Sequence, residues 1–137
     1  MRVKLDDGAL MPERAYADDA GYDLYAPESA VVPAHGTYTF DTGVHFEIPH
    51  GYAGFIKSKS GLNVKHDILS DGLIDEGFRG SVRVKLYNHG DHDYKIDRGN
   101  KISQIVFQKV FTPELEQTFD EFDETDRGSN GFGSSGY

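Results

Sequence analysis

Cysteine is absent from this chain of 137 residues. Its absence excludes a disulfide framework and any thiolate metal site. Also missing are a long apolar run, a basic-then-apolar leader at Met1-Arg2-Val3-Lys4-Leu5, and an Asn-x-Ser/Thr sequon. Together these absences predict a reducing, cytoplasmic setting with no membrane association. Positive charge is scarce, with 14 Lys plus Arg against 23 Asp plus Glu, a formal net charge of −9. DNA binding draws on counterion release by many basic groups, so no nucleic-acid partner is predicted. A small anionic ligand is still compatible with this charge, given a locally basic pocket or a divalent cation to offset the field of the protein.

What the chain has in quantity is glycine and aromatic residues: 16 Gly, 8 Tyr and 9 Phe. This composition favours strands and turns over helices, and the length suits one domain with its own core. Alternation with period two is clearest in Val44-His-Phe-Glu-Ile48 and Val82-Arg-Val-Lys-Leu86. Further strands are predicted at Arg2–Leu5, Ala30–Val32, Thr37–Phe40, Tyr52–Ile56, Tyr94–Ile96, Ile102–Phe111 and Glu114–Gln117. Turn signals separate them, among them Pro33-Ala-His-Gly36, Pro49-His-Gly51, Asp75-Glu-Gly77 and Asn88-His-Gly90. Ser60–His66 is the one short helix predicted, with Ser60 as its cap. Many short strands at this spacing predict an all-β sandwich or barrel of jelly-roll type over residues 1–118. The acidic run from Phe119 to Asp126 reads as a solvated linker to a flexible glycine-rich arm, so that 119–137 forms a second segment.

Several constellations carry chemistry. Gly72-Leu-Ile-Asp-Glu-Gly-Phe-Arg-Gly80 places Asp75 and Phe78 in a glycine-bounded hairpin, where backbone N–H and C=O groups around Gly72 and Leu73 could meet a flat ligand. Asp75 is either a general base toward water or a turn-stabilising carboxylate, and Phe78 either a ligand-facing ring or a core aromatic. Lys57-Ser-Lys-Ser-Gly-Leu62 alternates lysine and hydroxyl groups before the helix start, so Lys59, Ser60 and Gly61 suit a phosphate or are simply solvated. Arg98-Gly-Asn-Lys-Ile-Ser-Gln104 turns into an apolar strand, with Gln104 facing outward. Asp23, in Ala20-Gly-Tyr-Asp-Leu24, follows a glycine bend and either orients basic groups or metal-bound water, or closes a turn. His89-Gly-Asp-His-Asp93 has metal-ligand spacing but lies in a turn between strands, which makes it an exposed loop.

The last eleven residues, Arg127-Gly-Ser-Asn-Gly-Phe-Gly-Ser-Ser-Gly-Tyr137, cannot build a core. They nonetheless combine Arg127, the Phe132 ring and the hydroxyls of Ser134 and Ser135 with closely spaced N–H groups. Those parts wrap a phosphate chain and cover a base.

Taken in order, Ala20–Leu24, Lys59–Leu62, Gly72–Gly80, Arg98–Gln104 and Arg127–Gly136 resemble the five motifs of the homotrimeric dUTPase family. The resemblance implies a β-clip jelly roll assembled as a homotrimer with shared active sites, hydrolysing dUTP to dUMP and pyrophosphate with Mg²⁺ on the triphosphate. By the same resemblance, Asp75 would orient and deprotonate the attacking water and Phe78 would pack on the deoxyribose. The backbone of Gly72 and Leu73 would read uracil. Lys59, Ser60, Gly61 and Gln104 would hold phosphates and water, Phe132 would stack on the base, and Arg127, Gly133, Ser134 and Ser135 would close on the β and γ phosphates. No direct protein ligand to the metal is implied, with Asp23 acting through basic groups or metal-bound water. Relative to many members, Lys59 stands for Arg, Phe78 for Tyr, and Asn100-Lys101 for Asp-Arg. Lysine keeps the charge but lacks the bidentate fork, and phenylalanine keeps the ring that excludes a 2′-hydroxyl. The related dCTP deaminases place a glutamate in the strand after the hairpin where this chain has Lys85, which disfavours deamination. A dUTPase-like nucleotide sensor that binds a repressor protein is the alternative from another class.

Overall fold

The computed structural model describes residues 1–136, and Tyr137, the last residue of the predicted arm, lies outside the described residues. The chain runs β1 (Arg2–Leu5), β2 (Tyr22–Tyr25), β3 (Ala30–Val32), β4 (Thr37–Asp41), β5 (Val44–Glu47), β6 (Tyr52–Lys57), α1 (Ser60–His66), β7 (Ile68–Leu69), β8 (Asp71–Ile74), β9 (Arg83–Asn88), β10 (Tyr94–Ile96) and β11 (Lys101–Lys109). Every pairing is antiparallel. The ladders form a four-stranded sheet in the order β2-β11-β6-β8, a three-stranded sheet β4-β9-β7, and the pairs β1-β5 and β10-β3. The fold is all-β and jelly-roll-like, as the sequence predicts, but its ladders stay separate and do not close into a barrel.

The core is built by period-two alternation. In β9, Val84, Leu86 and Asn88 point inward while Arg83, Lys85 and Tyr87 face out. The buried apolar cluster draws on both larger sheets, with Leu24, Phe40, Val44, Ile56, Ile68, Leu86, Ile96 and Ile105 all nearly inaccessible. Asn88 is polar yet buried, and its amide is satisfied: Nδ2 donates to the Val32 and His92 carbonyls at 3.0 and 2.8 Å, and Oδ1 accepts from the Gly90 N–H at 2.9 Å. This network anchors the His89–Asp93 loop as a structural crossover, and among the described residues no group of three His, Asp or Glu is placed to hold a metal.

Three sequence expectations are corrected. No strand forms at Glu114–Gln117, where alternation is present but the segment pairs with no other strand and Leu115 is 94% exposed. The helix cap falls on Lys59, in extended conformation with no side-chain cap bond, and Ser60 is already the first helical residue. Asp23 follows the bend at Gly21 and lies within strand β2. The two arms of the predicted Gly72–Gly80 hairpin do not pair with each other: β8 pairs with β6, while β9 pairs with β4 and β7. Residues 75–82 therefore cross from one sheet to the other. No helix of the described residues is long and apolar enough to cross a membrane.

Candidate active site

Register brings distant segments together. Gln104 of β11 pairs with Asp23 on one side and Lys57 on the other, and Lys57 pairs in turn with Asp71. One row across the four-stranded sheet thus joins the segments carrying Asp23, Lys59 and Gln104 to the start of the Gly72 strand. Gly21 permits the closeness of this row, since a Cβ there would lie 2.5 Å from Gln104 Oε1. The Gln104 amide donates to the Ser58 carbonyl at 3.0 Å, which fixes the turn just before Lys59. The same turn is braced from beneath: Ser58 Oγ accepts from the Ser70 N–H at 2.8 Å, the Ser70 and Ser103 hydroxyls share a buried bond of 2.7 Å, and Ser103 Oγ donates to the Lys57 carbonyl at 2.9 Å.

Asp23 is the buried charge of this end of the sheet, with its carboxylate 4% exposed. One oxygen accepts from Lys59 Nζ at 2.5 Å and the other from Lys101 Nζ at 2.7 Å. Burial pushes the Asp23 carboxyl up, but the hydrogen bonds and charges of Lys101 and Lys59 outweigh it and hold the group below the usual carboxylate range. The same contact raises Lys101 above the usual lysine range. Lys101 matters here although the sequence reading gave it no role. Its place comes from a bulge that sets Lys101 beside Tyr25 and Ser103 beside Leu24 of β2, a register that sequence alone does not reveal.

Because Asp23 is ionised with a lowered folded value, its contribution to stability is present above the ordinary carboxylate range and is lost as pH falls through that lowered value. Asp23→Asn is expected to cost about 1–3 kcal/mol at neutral pH, the scale of a buried hydrogen-bonded charge. Urea unfolding from pH 7 down to pH 3 should show that difference closing in acid. A difference that persists unchanged in acid would refute the electrostatic account.

Asp75 and Phe78 lie elsewhere. Ile74 pairs with Gly54 while Asp71 pairs with Lys57, so Asp75 leaves the ladder at the end opposite Lys59, with about 10 Å of strand between the two ends. Asp75 is exposed, and its carbonyl accepts from the Phe78 N–H at 3.1 Å to close the turn. Glu76 braces that turn by accepting from the Gly51 N–H at 2.6 Å and by meeting His50 Nδ1 at 2.9 Å, so its carboxyl lies below the usual range. Phe78 is 44% exposed, not a core ring, and it lies over Gly80, where a Cβ would meet Phe78 Cζ at 2.5 Å. Strand β8 is the edge of its sheet, so alternate residues of Asp71–Ile74 turn N–H and C=O groups toward open space. Gly72 is half-buried there and Leu73 is 60% exposed.

The arm joins neither cluster. Every described residue from Phe111 onward is exposed, with Phe132 entirely so. Its bonds are local: Arg127 Nε donates to the Asn130 carbonyl at 2.9 Å, and the Ser134 N–H donates to the Gly131 carbonyl at 3.2 Å. The chain therefore presents three separated parts, the Lys59–Gln104 cluster with Ser60 and Gly61, the Gly72–Phe78 edge, and the arm with Arg127, Phe132, Gly133, Ser134 and Ser135.

A family model described as dUTPase matches residues 7–136 of this chain. The mitochondrial deoxyuridine 5'-triphosphate nucleotidohydrolase of Dictyostelium discoideum is 44% identical over 134 residues, covering 97% of this chain and 74% of its own length. The enzyme of the same name from Clostridium acetobutylicum is 40% identical over 136 residues, covering 97% and 93%. Among solved structures, the dUTPase of Staphylococcus bacteriophage 80alpha with dUPNHPP superimposes with a TM-score of 0.93 at 31% identity, covering 99% of this chain and 98% of that one. A phage phi11 dUTPase variant described with a structural Mg(II) ion matches with a TM-score of 0.80 at 29% identity, covering 87% and 96%.

Proposed function

Since this chain belongs to the dUTPase family and hydrolyses dUTP to dUMP and pyrophosphate, we propose that the three separated parts of the protomer meet in a homotrimer to form shared active sites. The observation that carries this is the separation itself: Asp75 and Lys59 leave opposite ends of one ladder, and the arm is wholly exposed on its own protomer. Residues 1–118 form the catalytic body and 119–137 the arm that reaches a neighbour's site.

In this reading the open edge of β8 at Gly72 and Leu73 reads the hydrogen-bond pattern of uracil, and close packing there excludes the methyl of thymine. Asp75 orients a water and takes its proton as the water oxygen attacks phosphorus, cleaving the α–β phosphoanhydride and releasing pyrophosphate. Lys59, with the N–H groups of Ser60 and Gly61, holds phosphate oxygens, and Gln104 holds phosphate or the water. Asp23 keeps two lysine side chains at this end of the sheet, so Lys101 can retain the carboxylate when Lys59 turns to the triphosphate. Phe132 covers the base, while Arg127, Gly133, Ser134 and Ser135 close on the β and γ phosphates.

Both Asp23 oxygens are taken by lysines, which leaves that carboxylate no open position for a direct metal bond. Mg²⁺ carried on the triphosphate would offset substrate charge. Deamination is disfavoured because Lys85 projects outward from β9, opposite Thr39 of β4. The repressor-binding alternative is not favoured by the relatives, which are named as nucleotidohydrolases. The setting that suits dUTP as partner and substrate is cytoplasmic.

Pyrophosphate release across dUTP, dCTP, dTTP and UTP tests the reading, and comparable turnover of all four would refute it. Sugar selectivity is expected to rest on the half-exposed Phe78 ring: Phe78→Ala should narrow the preference for dUTP over UTP, whereas Phe78→Tyr should keep it. An alanine variant as selective as the parent would remove the ring from the specificity mechanism.

A further inference from the structure

His45, in β5, sits between two acceptors. Its Nδ1 lies 2.7 Å from the Arg79 carbonyl oxygen and its Nε2 lies 3.0 Å from Asp6 Oδ2. A carbonyl oxygen only accepts, and an ionised carboxylate only accepts, so both bonds form at once only when both ring nitrogens carry protons. A neutral ring faces one of these oxygens with a lone pair. The Arg79 carbonyl follows Phe78 directly, and the Arg79 guanidinium donates to the Glu76 carbonyl, so the bond grips the segment that carries Asp75 and Phe78. From the other side that segment is held by Glu76 on His50 and Gly51.

We propose that His45, as an imidazolium, is a positioning residue for the Asp75–Arg79 turn, coupling nucleotide affinity to pH. This rests on the reading that the turn holds the deoxyribose and the attacking water. The charged groups around the ring are Asp6, just after β1; Lys4 of β1; Asp41, at the end of β4; and Arg2, Glu47 and Arg79, which with Lys4 and His45 line an open cleft of about 520 Å³. The hydrogen bonds to Asp6 and to the Arg79 carbonyl raise the imidazole above its ordinary value, against the opposing influences of desolvation and Lys4. A raised folded value means the clamp is complete below the ordinary imidazole range and is lost as pH rises through the folded value.

The full-length protein is assayed from pH 6 to pH 9. KM for dUTP is expected to rise about three- to tenfold across the titration, the range one hydrogen bond spans, with kcat following a separate profile. His45→Gln, which cannot titrate, should abolish that inflection in KM, and Asp6→Asn should move it to lower pH. Without substrate, nitrogen-15 NMR should show both His45 ring nitrogens protonated at pH 6.5, with the Gly77 and Gly80 amides titrating alongside the ring. Identical KM profiles for the parent and His45→Gln, or a His45 ring that is neutral at pH 6.5, would overturn the proposal. A protein that fails to hydrolyse dUTP at any pH would instead sink the functional reading, and the NMR titration would still decide whether the clamp exists.

Discussion

Asp75→Asn is expected to leave a folded protein that binds a non-hydrolysable dUTP analogue with near-parental affinity but turns dUTP over about 10²–10⁴-fold more slowly, the usual loss for a positioned general base. The amide keeps the shape of the carboxylate and loses the ability to take a proton from water. The fold does not depend on the side chain, because Asp75 is exposed and closes its turn through its backbone carbonyl. Surface substitutions of this kind generally change stability by no more than about 0.5 kcal/mol. Thermal unfolding and analogue titration beside pyrophosphate release separate the two effects. Near-parental turnover would take Asp75 out of the chemistry and leave it as a turn residue.

Truncation after Asp126 is expected to have an effect at least as large. The deleted segment, Arg127 to Tyr137, contains two aromatic residues and no aliphatic side chain, and its described part is exposed throughout, so the core loses nothing. Sedimentation and circular dichroism should match the parent. Catalysis should nonetheless fall by at least about 10²–10³-fold, the cost of losing one preorganised donor, since the arm supplies a guanidinium, several N–H groups and a covering ring. Mixing the truncated protein with an Asp75→Asn chain offers a sharper check. If sites are shared between protomers, mixed trimers regain activity that neither parent has, whereas an arm that served only its own protomer would give no recovery. A truncated protein as fast as the parent would return the segment to a solvated tail.

The clearest parts of the fold to read from sequence were those governed by local periodicity. Val44-His-Phe-Glu and the Val84-Lys-Leu run became strands with the expected inward faces, because alternating side chains leave little freedom in which face is buried. Short strands without alternation were harder. Tyr22–Tyr25 carries Asp23 and Leu24 side by side, both buried, and shows no strand pattern until β11 is placed beside it. Glu114–Gln117 shows the converse, since alternation alone makes no strand without an edge to pair with.

Sequence by itself determined the chemistry available to this protein. It supplied two adjacent carboxylates and one ring in a glycine-bounded segment, a lysine-hydroxyl run, an arm with phosphate-binding parts and no core-forming capacity, and a charge balance unsuited to nucleic acid. These are properties of residue types and of spacings shorter than a dozen residues, and they survive any arrangement of the rest. Tertiary structure alone decided which groups meet. Register across β2, β11 and β6 placed Asp23 between Lys59 and Lys101, and edge pairing of β8 with β6 sent Asp75 to the far end of the sheet. Cross-sheet packing set His45 between Asp6 and the Arg79 carbonyl. The side-chain partners among these stand 34 or more residues apart in the chain, and antiparallel pairing can slide by two residues without disturbing either buried face. Only the packed core, by selecting one register, converts a list of chemical groups into a site.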